Sequence, residues 1–224
     1  MRSKRKKLLI TGLAVIAIAI GTLIVYRIFF VKMIRVPTGA MANTIIPGDH
    51  LIVRKLFGEV NRGDIVIFQY PDDASTQYVA RVVGRPGERI QVRGYFVNVN
   101  GVPIPEQRVF VRQDDDFILG FLEELSTEGA GPYRVFYYRR DAGNPMITDD
   151  PMDAQFGVAE EFHIPPNHYF LLGDHRDNSL DSRFRGAVPR ELIWGKPTTI
   201  YWSSFAKPSE EEKVRWDRIG KSVR

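Results

Sequence analysis

Between Gly173 and Gly186 the chain reads GDHRDNSLDSRFRG, three aspartates, three arginines, two serines and an asparagine within fourteen residues. These side chains bind, orient and move protons. An arginine fork closes on a carboxylate through two parallel hydrogen bonds and fixes its geometry. Asp181 and Arg183 alternate about Ser182, so an extended backbone would turn both to one side. A serine attacks only when a base stands beside it, and Ser179 and Ser182 both lie here. His175 in the same run keeps a histidine-dependent triad open as one alternative. A solvated, turn-rich loop is the plainer reading of such a cluster. The flanks argue against it: Tyr169-Phe170-Leu171-Leu172 is strand-like, and a strand that delivers a dense polar loop puts a site on a rigid scaffold.

Other chemistries drop out early. The sequence holds no G-x-S-x-G, no H-E-x-x-H and no glycine-rich phosphate loop. It has no cysteine, which removes disulfides, thiolate nucleophiles and cysteine-type zinc sites. The histidines are His50, His163, His168 and His175. His163 and His168 stand in proline-rich sequence at a poor spacing for one metal on a helix. No metal and no cofactor is expected. The formal net charge is +4, but Arg2, Lys4, Arg5, Lys6 and Lys7 more than account for it. The basicity is a terminal tag, not a nucleic-acid face.

The elements that must position the loop begin with LLITGLAVIAIAIGTLIVY, Leu8 to Tyr26, a run without a charge. At the helical rise it spans about 28 Å, close to the hydrocarbon thickness of a bilayer. A cleaved signal peptide would have a shorter apolar core and small residues at its exit, whereas this run exits through Tyr26-Arg27-Ile28-Phe29-Phe30. The expectation is an uncleaved anchor over 8–27. The cations of 1–7 would lie in the cytoplasm, and the rest of the chain outside the cytoplasmic membrane. At 224 residues that rest is one good-sized domain or a domain with an insert.

Leu51-Ile52-Val53 and Ile65-Val66-Ile67-Phe68 read as buried strands separated by the turn Asn61-Arg62-Gly63-Asp64. Asn100-Gly101 between Phe96–Val99 and Val102–Ile104 is a hairpin signal. From Glu106 to about Glu161 the pattern changes. Asp114-Asp115-Asp116 can cap a helix through Leu125 ended by Gly129, and Tyr133 to Tyr138 is a strand candidate. This stretch is expected to be an inserted subdomain, or equally a flap, given Gly143-Asn144-Pro145 and Asp149-Asp150-Pro151. Trp202 to Phe205 suits a membrane interface or a core, and 208–224 reads as a loose charged tail.

Two further stretches complete a pattern. Pro37-Thr38-Gly39-Ala40-Met41-Ala42-Asn43-Thr44 is followed by Pro47-Gly48-Asp49, and Tyr78 to Ile90 reads YVARVVGRPGERI. With GD-x-RDNS-x-DSR-x-x-G they resemble, in order, the signature boxes of the bacterial type I signal peptidases, over most of 35–202. In the first box of that family a serine stands directly before the methionine; Ala40 holds its place, and Asn43 replaces a proline. In the second a lysine precedes Arg-Val; Ala80 holds its place, while Arg81, Gly84, Pro86, Gly87 and Glu88 follow the pattern.

The resemblance implies a mainly β fold. An antiparallel sheet core (28–105 and 162–207) would carry a smaller α/β subdomain at 106–161, preceded by one transmembrane helix. It implies a serine–lysine dyad: a hydroxyl attacks, and an amine deprotonated by burial takes its proton. By resemblance Thr38 supplies an oxyanion hydroxyl and Ser179 orients the amine. Asp181 with Arg183, and Asp174 with Arg176, brace the loop. Pro37, Gly39, Met41 and Tyr78 would line a strand-like substrate, the signal peptide of an exported preprotein emerging from the lipid bilayer. An alanine methyl neither attacks a carbonyl nor takes a proton, so the chain as written is expected to be inactive. It is then an active enzyme truncated at both dyad positions, the favoured reading, or a natural pseudoenzyme that binds without cutting. A structural envelope protein, or Ser182 or Ser179 as nucleophile, has less behind it.

Overall fold

The apolar runs around Leu51, Ile65 and Val82 become strands of one sheet in the computed structural model, which describes residues 11–22, 30–112, 122–139, 154–158, 160–205 and 213–224. The sheet runs in the order β1 (Val31–Arg35), β2 (Asp49–Lys55), β14 (Ile193–Phe205), β3 (Ile65–Tyr70), β4 (Asp73–Gly84), β12 (His168–Leu172) and β13 (Val188–Pro189). A short β15 (Lys213–Val214) pairs with β14. Each pairing is antiparallel.

Strand β3 shows why this sheet is a core on both faces. Val66, Phe68 and Tyr70 pack with Ala80, Val82, Tyr169 and Leu171. Ile65 and Ile67 pack with Val36, Met41, Leu51 and Ile200. Successive side chains of a strand leave on opposite faces, so a continuous apolar run needs cover on both. Burial of each such side chain contributes roughly 2 kcal/mol.

A second antiparallel sheet joins β5 (Arg89–Arg93), β6 (Phe96–Val99), β7 (Val102–Pro103) and β11 (Phe162–His163). The hairpin forms where Asn100-Gly101 announced it. Both residues take positive φ, 52° and 79°, as a tight two-residue connection requires.

Within 106–161 the described residues form a third sheet. β8 (Gln107–Val111) pairs with β10 (Arg134–Tyr138) in parallel and with β9 (Glu124–Glu128) antiparallel. The helix expected through Leu125 is corrected at its end. Glu124 to Glu128 is extended because the backbone of β8 offers it a ladder, with Val109 opposite Thr127, and tertiary pairing overrides local spacing. The remainder of that helix falls in 113–121, and both expected flap turns fall in 140–153, outside the described residues.

The loose tail is also corrected over 213–224. These residues return to the main sheet, where Ile200 N–H donates to the Lys221 carbonyl and Val223 N–H to the Thr198 carbonyl. Trp202 is partly exposed and meets Trp216 edge to face. Residues 11–22 are helical with every side chain exposed. Among the described residues no helix is long and apolar enough to cross a membrane; the rest of the expected anchor, 8–10 and 23–27, lies outside them.

Candidate active site

Strand β12 delivers the polar loop as its sequence suggested, and the loop is held by its own charges. Gly173 N–H donates to Asp181 Oδ2 (3.1 Å). Arg183 closes on the same carboxylate through Nε and Nη2, both 2.9 Å, and donates to the Arg176 carbonyl (2.5 Å). The expected Asp181–Arg183 fork is present, but the extended backbone is corrected. Ser182–Arg185 is one helical turn, α2 (α1 being 11–22), and Asp181 caps it by accepting from Arg183 N–H. A carboxylate at that position satisfies an otherwise orphaned amide.

The expected pairing of Asp174 with Arg176 is corrected as well, since each finds a distant partner. Asp174 takes Arg81 Nε (2.7 Å) and Nη2 (2.6 Å) and the Thr44 hydroxyl (2.7 Å). Arg176 forks onto Glu106, with Nη1 3.0 Å from Oε2, and reaches the Tyr137 hydroxyl (3.2 Å). Burial disfavours the Arg176 charge, and Glu106 more than offsets this, so its pKa is raised. Two residues apart on a loop, Asp174 and Arg176 point to different elements: one ties the loop to β4, the other to the third sheet. The third sheet adds two amide donors, Phe136 N–H to the Asp174 carbonyl (2.7 Å) and Tyr138 N–H to the Asp177 carboxylate Oδ2 (2.8 Å).

The loop lies against the segment carrying residue 40. His175 N–H donates to the Ala40 carbonyl (3.0 Å), and Asp174 N–H points at Met41 Sδ (3.3 Å). A Cβ on Gly173 would meet Ser179 Oγ at 2.2 Å and the Ala40 carbonyl oxygen at 2.6 Å. Only a residue without a side chain lets the loop backbone, the Ala40 carbonyl and the Ser179 side chain come this close. Leu172, just before, pairs with Arg81, just after Ala80. Gly173 therefore adjoins Ser179 and Ala40 directly and Ala80 through the sheet.

Ala80 is buried among Phe68, Tyr70, Val82 and Leu171. Ala40 and Gly39 are half-buried, and Pro37 and Thr38 are exposed. Met41 is wholly buried, backbone included, which corrects its expected place along an open substrate surface. Tyr78 is half-buried; its hydroxyl donates to Asp73 (2.8 Å) and accepts from Arg185 (3.0 Å).

Ser182 is buried and its Oγ accepts from Leu171 N–H (3.0 Å), so it is a packing group and a poor nucleophile. His175 is buried, with Nε2 lacking a hydrogen-bond partner among the described residues and its ring edge-on to Tyr138. Burial pushes its pKa down to about 4, against a smaller opposing hydrogen bond to the Gly39 backbone. The imidazole is neutral through the physiological range. Among the described residues no group of three or more His, Cys, Asp or Glu is placed to hold a metal. Sequence reasoning assigned no role to Glu106, Thr44 or Asp49.

Comparison with known proteins gives the family. The family model described as signal peptidase, peptidase S26, matches residues 9–202. Signal peptidase I of Buchnera aphidicola subsp. Schizaphis graminum is 30% identical, covering 88% of this chain and 76% of that protein. Signal peptidase I of Aquifex aeolicus is 31% identical over 79% of this chain and 78% of its own. A crystal structure of a signal peptidase I from Enterococcus faecalis aligns with 63% of this chain and 98% of its own, at 20% identity and a TM-score of 0.37. With most of its length matched by the family model, and relatives of this identity over most of both chains, the chain belongs to the S26 signal peptidase family.

Proposed function

We propose that this chain is a membrane-anchored type I signal peptidase scaffold that receives the signal peptides of exported preproteins and does not cut them. Ala40 would stand where the serine nucleophile belongs and Ala80 where the lysine base belongs. The observation that carries this reading is the contact of Gly173 with both Ser179 and the Ala40 carbonyl, one residue after Leu172 pairs beside Ala80.

The surroundings suit the missing groups. A lysine at 80 would extend from an apolar, aromatic cluster that penalises its charged form and lowers its pKa. Ser179 would orient the amine. The N–H of residue 40 with the Thr38 hydroxyl would face the developing oxyanion. Asp181 with Arg183, and Asp174 and Arg176 through Arg81 and Glu106, would hold the loop still. An extended peptide would lie along Pro37 and Gly39, with Tyr78 nearby, and pair by strand addition.

The anchor belongs to the same proposal. Leu13, Val15, Ile16, Ile18 and Ile20 are exposed on the described part of the helix, an apolar surface that lipid would cover. The cations of 1–7 favour a cytoplasmic N-terminus, with the β domain on the extracytoplasmic side. The core at 28–105 and 162–207, the insert at 106–161 and the segment from 208 would be its parts.

Restoring Ala40→Ser together with Ala80→Lys and assaying preprotein cleavage in detergent tests the reading. The double revertant should cleave and each single revertant should not. A double revertant that binds preprotein and leaves it whole would replace the truncated enzyme with a natural pseudoenzyme.

A further inference from the structure

Thr44 joins two parts of the molecule. Its hydroxyl donates to Asp174, which Arg81 holds beside Ala80. Its carbonyl accepts from Arg218 Nη2 (3.1 Å). Arg218 lies beyond the residues that match the family model and is 3% exposed. The same guanidinium closes on Asp49 through Nε (2.9 Å) and Nη2 (2.5 Å). Asp49 also accepts from Ile46 N–H (3.0 Å) and the Ser203 hydroxyl (2.7 Å). Arg215 donates to the Pro47 carbonyl (2.8 Å). Further along the segment, Arg81 Nη2 reaches the backbone oxygen of Arg224 (3.3 Å).

One segment thus touches both the loop that carries residue 40 and the strand that carries residue 80. We propose that 213–224 is a clasp that fixes these two positions relative to each other, and that Arg218 is its positioning residue. The inference rests on the reading of positions 40 and 80 given above. The physical reason lies in the guanidinium. Its rigid fork of donors satisfies a carboxylate and a carbonyl together, which a lysine ammonium cannot do in the same geometry. A buried pair of this kind adds little net stability compared with an apolar replacement, so its value here is the fixed path of residues 44–49. That path determines where the Thr44 hydroxyl meets Asp174.

Hydrogen exchange on the full chain as it stands tests this. Arg218→Met should speed exchange about tenfold at the Ala42, Ile45 and Asp49 amides, which bond within 39–46, and at His175, which bonds Ala40. The β5–β6 amides should keep their rates. Arg218→Lys should fall between. Thr44→Val, which deletes only the hydroxyl, should loosen His175 and spare Asp49; it and Arg218→Lys decide the matter if Arg218→Met does not fold. Unchanged exchange at 42–49, or a rise shared equally by β5 and β6, would overturn the clasp. In the double revertant, Arg218→Lys should lower kcat severalfold and leave KM unchanged, and a KM effect alone would count against a positioning role. A double revertant that never cleaves would sink the proposed function while the exchange result stood on its own.

Discussion

Arg81 and Asp174 face each other inside the protein, Nε to Oδ1 and Nη2 to Oδ2, with side-chain exposures of 2% and 0%. The pair joins the strand that carries Ala80 to the loop that lies on Ala40. The loop is therefore braced from the residue next to Ala80, one of the two positions proposed to carry the chemistry. Removing one partner strands a charge where water cannot reach it. Arg81→Met should destabilise the fold by about 3–5 kcal/mol, read from urea unfolding. Arg81→Met combined with Asp174→Leu should recover a large part of that loss, and a double-mutant cycle gives the coupling.

Gly173→Ala tests the closeness of the loop. Its new methyl group would meet Ser179 Oγ and the Ala40 carbonyl oxygen inside contact distance. The Ala40 oxygen is backbone and cannot turn aside. Overpacking of this kind should cost about 1–3 kcal/mol and remove most of any cleavage regained by the double revertant. Chemical unfolding and a cleavage assay measure the two effects separately.

His175 sets a pH dependence whose sign follows from its depressed pKa. The unfolded chain takes up a proton near pH 6.5, whereas the folded imidazole waits until about 4. Between those values the unfolded state holds more protons, so stability falls as the pH falls, by about 3 kcal/mol in total. His175→Asn cannot titrate. Its stability should be flatter from pH 6.5 to 4 than that of the parent, as unfolding curves at several pH values would report.

Ala80→Lys should be destabilising at neutral pH and less so in alkali. The cluster around residue 80 excludes water, so the folded lysine gives up its proton while the unfolded one keeps it to about pH 10.4. A depression of about 3 units corresponds to roughly 4 kcal/mol at pH 7, relieved as the pH rises toward 10. Thermal unfolding of Ala80→Lys against its parent at pH 7 and 9.5 should show the gap narrowing.

The strands and the polar loop were legible in the residues because apolar runs need two covered faces and because Asn100-Gly101 permits one kind of turn. The Asp181–Arg183 fork was legible as a pair of charges, but the backbone between them was not, since a helical turn and a strand can both bring them together. The partners of Asp174 and Arg176 were hidden for a different reason. Arg81 lies 93 residues from Asp174, and Glu106 lies 70 from Arg176. Local spacing carries no information about such pairs. Glu106 and Arg218 read as solvated charges until folding buries them. The 213–224 segment has one buried apolar anchor, Val223, and no regular period, so nothing in its residues separates it from a tail.

The loop from 173 to 186 rests on Arg81–Asp174, Arg176–Glu106 and Arg183–Asp181, and none of these six side chains is at position 40 or 80. On the proposed reading, shape and reactivity are thus encoded by separate residues. Two point changes would then silence such a protein while the frame that holds the loop stayed in place.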